Sequence, residues 1–92
     1  MKRKLGKSGI EVNAIGMGCW AIGGVWTWMN QPGGWGEIDD GESKQAIRCA
    51  LDLGVGLFDT AANYGTGHSE TVLGQALGKR RSQAIIATKF GY

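Results

Sequence analysis

Three side chains in the second half of this sequence form a set able to deliver a proton: the carboxylate of Asp59, the phenol of Tyr64 and the ammonium of Lys89. A phenol ordinarily ionises near pH ~10 and is a poor donor at neutral pH. A neighbouring ammonium favours the phenolate and so strengthens the phenol as an acid. A carboxylate can hold that ammonium in place, and the trio suits protonation of a carbonyl oxygen. Singly, each residue has a plainer reading. Asp59 could brace its own loop, Tyr64 could be a rim aromatic, and Lys89 an exposed lysine.

The case for joint action lies in the elements that carry them. Gly56-Leu57-Phe58-Asp59 reads as a short buried strand with its carboxylate at the C-terminal end. Residues 84–88 form a continuous apolar strand, as in a sheet buried on both faces, and Lys89 follows it. From Leu57 to Ile85 the chain covers the ~30 residues of one βαβ unit. In such folds reactive groups gather at the C-terminal ends of the strands. Asp59 and Lys89 occupy two such ends, with Tyr64 in the loop after the first.

The remaining elements follow from spacing. Asp39, Asp40, Glu42 and Ser43 suit a helix N-terminus, and Ala46, Ile47, Ala50 and Leu51 repeat on one helical face. Gly54 fits the left-handed position after that helix. A second helix is predicted over about 69–77 from Val72, Leu73, Ala76 and Leu77, with Gly78 ending it. Residues 4–12 read as a hairpin with a glycine-bearing turn. Residues 14–18 read as a brief first core strand. The order β-hairpin, β, α, β, α, β is that of an α/β protein with a parallel sheet.

Residues 20–38 break the pattern. They hold Trp20, Trp26, Trp28 and Trp35 together with Pro32 and show neither a helical nor a strand period. The expectation is a long loop, of the kind that is functional or disordered in compact domains. Two readings stay open. Trp20, Trp26 and Trp28 could wall a substrate pocket above the first strand. Alternatively, the segment is an insertion whose indoles pack on the rim or on a neighbouring chain.

Composition bounds the classes. Charged residues make up 20% and apolar residues 42% of 92 residues, a globular balance that excludes a disordered chain. The net charge of +2 owes much to Lys2, Arg3, Lys4 and Lys7, but no apolar signal core follows them, and no apolar run approaches a membrane span. Stacking on nucleic acid is disfavoured, because residues 20–43 lack Lys and Arg while Glu37, Asp39, Asp40 and Glu42 are present. Cys19 and Cys49 read as reduced thiols of a cytoplasmic protein. No metal site is expected, since His68 is the sole histidine and no ligand spacing appears. Gly16-x-Gly18-x-x-Ala21 matches the degenerate dinucleotide fingerprint, but Ile22-Gly23-Gly24 after it is no helix start, so a Rossmann reading is rejected.

Asp59-Thr60-Ala61-x-x-Tyr64-Gly65-x-Gly67-x-Ser69-Glu70-x-x-x-Gly74-x-x-Leu77, followed by Thr88-Lys89, resembles the signature of the aldo-keto reductase family. Leu5-Gly6-x-Ser8-Gly9-x-x-Val12 and Gly16-Met17-Gly18-Cys19-Trp20 are similar to that family's N-terminal hairpin and first barrel strand. The resemblance implies the N-terminal portion of a (β/α)₈ TIM barrel, with the hairpin, about three barrel strands and two helices. It implies NADPH-dependent reduction of aldehydes or ketones. Tyr64 would be the general acid, Lys89 would lower its pKa, and Asp59 would pair with Lys89. Gly18, Cys19, Trp20 and Asp59 would lie beside the cofactor.

Two departures qualify the expectation. The family's active-site histidine comes from the end of the next strand, and His68 does not match it; His68 reads as a loop or helix-start residue. The family's main phosphate and adenine contacts also come from later strands. The chain therefore looks cut, with most of the cofactor site missing and little activity expected of these residues alone. The rival expectation is a non-catalytic α/β piece that associates with itself or a partner through open strand edges and apolar surface.

Overall fold

A computed structural model describes residues 2–28, 30–33 and 36–91. Its centre is a three-stranded parallel sheet in the order β3 (Met17–Gly18), β6 (Leu57–Asp59), β7 (Ile85–Ala87). Helix α1 (Asp40–Asp52) connects the first pair and α2 (His68–Leu77) the second. Two separate hairpins flank this unit: β1 (Lys2–Lys4) with β2 (Glu11–Asn13), and β4 (Trp26–Trp28) with β5 (Gln31–Gly33).

Strand periodicity decides what the sheet presents on each side. Met17, Phe58 and Ile86 are register partners on one face, and all three pack into the core with Ile47 and Leu51 of α1 and Val72, Leu73, Ala76 and Leu77 of α2. Phe58, Ile47 and Leu73 are essentially inaccessible, each contributing on the order of 2 kcal/mol by removal from water. Gly18, Asp59 and Ala87, one residue further along, fall on the opposite face and are exposed. The predicted burial of both faces is thus corrected: the helices cover the Phe58 face, and among the described residues the other stays open.

Helix α1 starts as the sequence implies. Asp39 caps it, its Oδ1 accepting from the N–H groups of Gly41 at 2.8 Å and Glu42 at 3.2 Å. Gly54, at φ +93°, takes the left-handed position after the helix, and its carbonyl accepts from Asn13 Nδ2 at 2.5 Å, tying the first hairpin to the end of α1. Arg48 Nε donates to the Ala76 carbonyl at 3.2 Å, satisfying an end group of α2 from its neighbour.

Several boundaries move. The first hairpin pairs over 2–4 and 11–13 rather than within 4–12, because Ser8 builds a wide turn: its Oγ donates to the Leu5 carbonyl at 2.6 Å and accepts from the Ile10 N–H at 3.1 Å. Helix α2 does end at Leu77 with Gly78 as its cap, as expected, and the chain then runs on as a 3₁₀ turn to Gln83. The structureless loop expected at 20–38 is overturned. It holds a 3₁₀ turn at Ala21–Gly23 and the β4–β5 hairpin, whose left-handed Asn30 (φ +63°) makes the reversal. The 3₁₀ turn has three residues, so no α-helix opens after Gly18 and the rejection of a Rossmann site is unaffected.

Candidate functional site

Asp59, Tyr64 and Lys89 meet at the C-terminal end of the parallel sheet. Lys89 Nζ donates to Asp59 Oδ1 at 2.8 Å and to the Thr60 carbonyl at 2.8 Å, and lies 5.2 Å from the centre of the Tyr64 ring. The hydrogen bond to Asp59 is the main cause that raises the Lys89 pKa above its ordinary 10.5, while desolvation pulls the other way. The ammonium is thus held charged. The pair is about half exposed, at 47% for Lys89 and 56% for Asp59, so water screens it and its role is geometric more than stabilising.

Backbone hydrogen bonds carry the strand ends into the loop. Cys19 N–H donates to the Asp59 carbonyl at 2.8 Å, Thr60 N–H to Ala87 at 2.8 Å, and Ala62 N–H to Lys89 at 3.1 Å. Tyr64 is held at both main-chain groups, its N–H by Ala61 at 3.2 Å and its carbonyl by the Ser69 N–H at 3.1 Å. Its ring sits 6.4 Å from that of Trp20, tilted by 34°. Gly65, at φ +63°, touches Gly23 backbone to backbone, and a Cβ on either would overlap the other segment. Only glycine permits this approach of the 3₁₀ turn to the tyrosine loop.

The remaining predicted residues divide. Gly18 faces open space, with nothing within 4 Å of where a Cβ would stand, and Trp20 is 46% exposed. Both leave room for a flat ligand against the strand ends. Cys19 does not. Its side chain is fully buried in the core, burial pushes the thiol up to about 11 with help from the Asp59 charge, and its N–H and carbonyl are both engaged. The thiol side chain is turned away from the open end, so Cys19 braces the site rather than offering a group to a ligand. Trp26 and Trp28 lie in β4, but their side chains, like all of Trp35, fall outside the described residues.

Sequence reasoning missed three links. Thr60 and Ser69 form a buried hydroxyl pair at 2.8 Å, and Ser69 Oγ donates to the Cys19 carbonyl at 2.6 Å. Thr88 Oγ1 donates to Glu70 at 2.7 Å, beside Lys89. His68, the first residue of α2, is joined to Asp40, the first of α1, at 2.9 Å. The hydroxyls standing next to apolar strand ends were the available signal for the first link. Nothing in the spacing pairs residues 40 and 68. An open cavity of about 500 Å³ lies beside that pair, lined by Gly23, Val25, Glu37 and Gly65 among others, and none of Asp59, Tyr64 or Lys89 reaches it. Among the described residues no group of three or more His, Cys, Asp or Glu stands close enough to hold a metal ion, and no helix is long and apolar enough to cross a membrane.

Sequential parallel strands, helices on one face and reactive groups at the strand ends make this the N-terminal part of a (β/α)₈ barrel. The chain belongs to the Aldo/keto reductase family, whose family model matches residues 14–92. It is 45% identical over 84 residues to the aldo-keto reductase YhdN of Bacillus subtilis, a match covering 89% of this chain and 23% of that protein. It is 39% identical over 90 residues to a probable voltage-gated potassium channel subunit beta of Arabidopsis thaliana, covering 95% and 24%. Among solved structures, the holo form of aldo-keto reductase AKR11C1 from Bacillus halodurans superposes with a TM-score of 0.79 at 32% identity, over 98% of this chain and 26% of that one. An aldo-keto reductase from Klebsiella pneumoniae in complex with NADPH gives 0.69 at 29% identity, over 89% and 25%. The chain thus spans about a quarter of the length of these relatives.

Proposed function

We propose that these residues belong to an oxidoreductase whose whole barrel reduces aldehydes or ketones to alcohols with NADPH, using Tyr64 as the proton donor, and that the 92 residues alone show little of that activity. The single observation that carries this reading is the Lys89 ammonium, bridged between Asp59 and the Thr60 carbonyl and directed at the Tyr64 ring. Reduction of a carbonyl leaves negative charge on oxygen, and a positioned donor neutralises it as it forms. Tyr64 gives its proton to that oxygen, and the nearby ammonium stabilises the charge then left on the phenol. Asp59 keeps the ammonium in place.

NADPH, when bound, supplies the hydride that reaches the carbonyl carbon. Gly18, which leaves open space, the half-exposed Trp20 and Asp59 are the residues that would hold the nicotinamide end of the cofactor. The buried Cys19 thiol does not contribute. The similar aldo-keto reductase solved in complex with NADPH supports this cofactor. Trp26 and Trp28, on the hairpin next to Trp20 in sequence, are proposed to wall the carbonyl substrate, a small molecule.

The test follows NADPH consumption, with a panel of small aldehydes and ketones, by the whole barrel that contains these residues. Consumption that depends on the carbonyl compound is expected, and its absence across the panel would contradict the reading. A second reading, association of the chain with itself, is favoured by large apolar side chains left in water: Phe90 at 91%, Leu53 at 77% and Ile15 at 68% exposure. Sedimentation at increasing concentration separates the two, since self-association raises the mass without any need for cofactor.

A further inference from the structure

Ser69 stands at a crossing. It is fully buried, as is Thr60, and the two hydroxyls each carry one proton to share. Ser69 Oγ donates to the Cys19 carbonyl at 2.6 Å, so its oxygen is left to accept from Thr60 Oγ1 at 2.8 Å. The direction of the chain is therefore fixed: Thr60 hydroxyl to Ser69 hydroxyl to Cys19 carbonyl.

Each partner lies next to a group at the site. The Thr60 carbonyl is the second acceptor of the Lys89 ammonium, and Thr60 follows Asp59 directly. Cys19 precedes Trp20, whose ring faces Tyr64. The main-chain N–H of Ser69 holds the Tyr64 carbonyl at 3.1 Å. One residue at the start of α2 thus reaches the end of β3, the end of β6 and the tyrosine loop. Glu70 continues the pattern by accepting from Thr88 at 2.7 Å at the end of β7.

We propose that Ser69 and Thr60 are positioning residues for proton delivery, fixing the distance between the Lys89 ammonium and the Tyr64 phenol through a buried two-hydroxyl relay. The proposal rests on the reductase reading for its kinetic consequence but not for its geometry. Burial makes the relay effective: with water excluded, an unpaired hydroxyl or carbonyl there has no alternative partner, so the geometry has one satisfied arrangement. Small displacements at such a site are costly in rate, since a shift of about 1 Å can cost roughly 10²-fold.

The test compares Ser69→Ala, Thr60→Val, which keeps the side-chain shape without the hydroxyl, and Thr60→Ser, which keeps the hydroxyl. Two readouts are taken on each folded variant. Steady-state kinetics of carbonyl reduction should show kcat lowered by roughly 10²-fold in Ser69→Ala and Thr60→Val with KM nearly unchanged, and restored in Thr60→Ser. Exchange of the Lys89 ammonium protons, followed by NMR without substrate, should be several-fold faster in the first two variants and unchanged in the third. Equal exchange in all variants would overturn the proposal whether or not the protein turns over. So would a Thr60→Val protein that merely fails to fold while Thr60→Ser is normal, because the hydroxyl would then be structural only. Lack of carbonyl reduction by the unsubstituted protein, with exchange behaving as expected, would sink the reductase reading and leave the relay standing.

Discussion

The loop after β6 and the tryptophan segment after β3 rise from the same end of the same sheet, yet they are built in opposite ways. In residues 60–69 the N–H groups of Thr60, Ala62, Tyr64, Thr66, His68 and Ser69 all find main-chain acceptors, and Ser69 and Lys89 stitch the loop to neighbouring strands. In residues 20–38 strands β4 and β5 pair with each other and, among the described residues, with no strand of the parallel sheet. The lesson is a division of labour. Groups proposed to deliver a proton are tied down by the backbone, whereas a surface proposed to meet varied substrates is carried on a self-contained hairpin.

The comparison breaks most directly at Lys89. Replacing Lys89 with Met removes the cation beside Tyr64, and turnover is expected to fall by roughly 10²–10⁴-fold. Steady-state rates of carbonyl reduction check this, and a variant as fast as the unsubstituted protein would end the argument that Lys89 takes part in proton delivery. A smaller effect separates two left-handed glycines. In Gly65→Ala the residue stays at φ +63°, a strain of about 1–3 kcal/mol, and its new methyl must also displace the Gly23 backbone, which should shift Tyr64 as well. Gly36→Ala, at φ +93° with nothing within 4 Å, meets only the backbone penalty of about 1–2 kcal/mol and should leave turnover intact. Denaturant midpoints and rates on the same samples distinguish them.

Much of the tethered half was legible in the sequence. The apolar run before Asp59 set that carboxylate at the C-terminal end of β6, and the apolar spacing of Val72, Leu73, Ala76 and Leu77 marked the buried stripe of α2. Asp39 and Gly54 marked the ends of α1 by the chemistry of their types. Two things were hidden. The β4–β5 hairpin turns at Asn30 without a glycine in the reversal and is stabilised by pairing over three residues, too short to leave a period. The Thr60–Ser69–Cys19 relay joins residues up to 50 positions apart, and hydrogen bonds between distant segments have no sequence spacing.

Smaller effects sharpen the contrast. Replacing Trp26 and Trp28 together with Ala should alter KM and substrate preference several-fold while kcat for small carbonyls is retained. A drop in kcat like that of Lys89→Met would move the hairpin into the proton-delivery machinery. The thiols give the mildest test. Cys49 is exposed and Cys19 is buried with its pKa pushed up to about 11, so an alkylating reagent at neutral pH should label Cys49 alone. Labelling of Cys19 at a similar rate would mean that the core beneath the strand ends opens readily.

The central claim is that Tyr64 supplies the proton, and Tyr64→Phe tests it with the least disturbance, since only the hydroxyl is lost. Turnover with an aldehyde and affinity for NADPH should be measured on the same preparation. Carbonyl reduction is expected to be abolished while NADPH binds nearly as before. Turnover equal to that of the unsubstituted protein would contradict it.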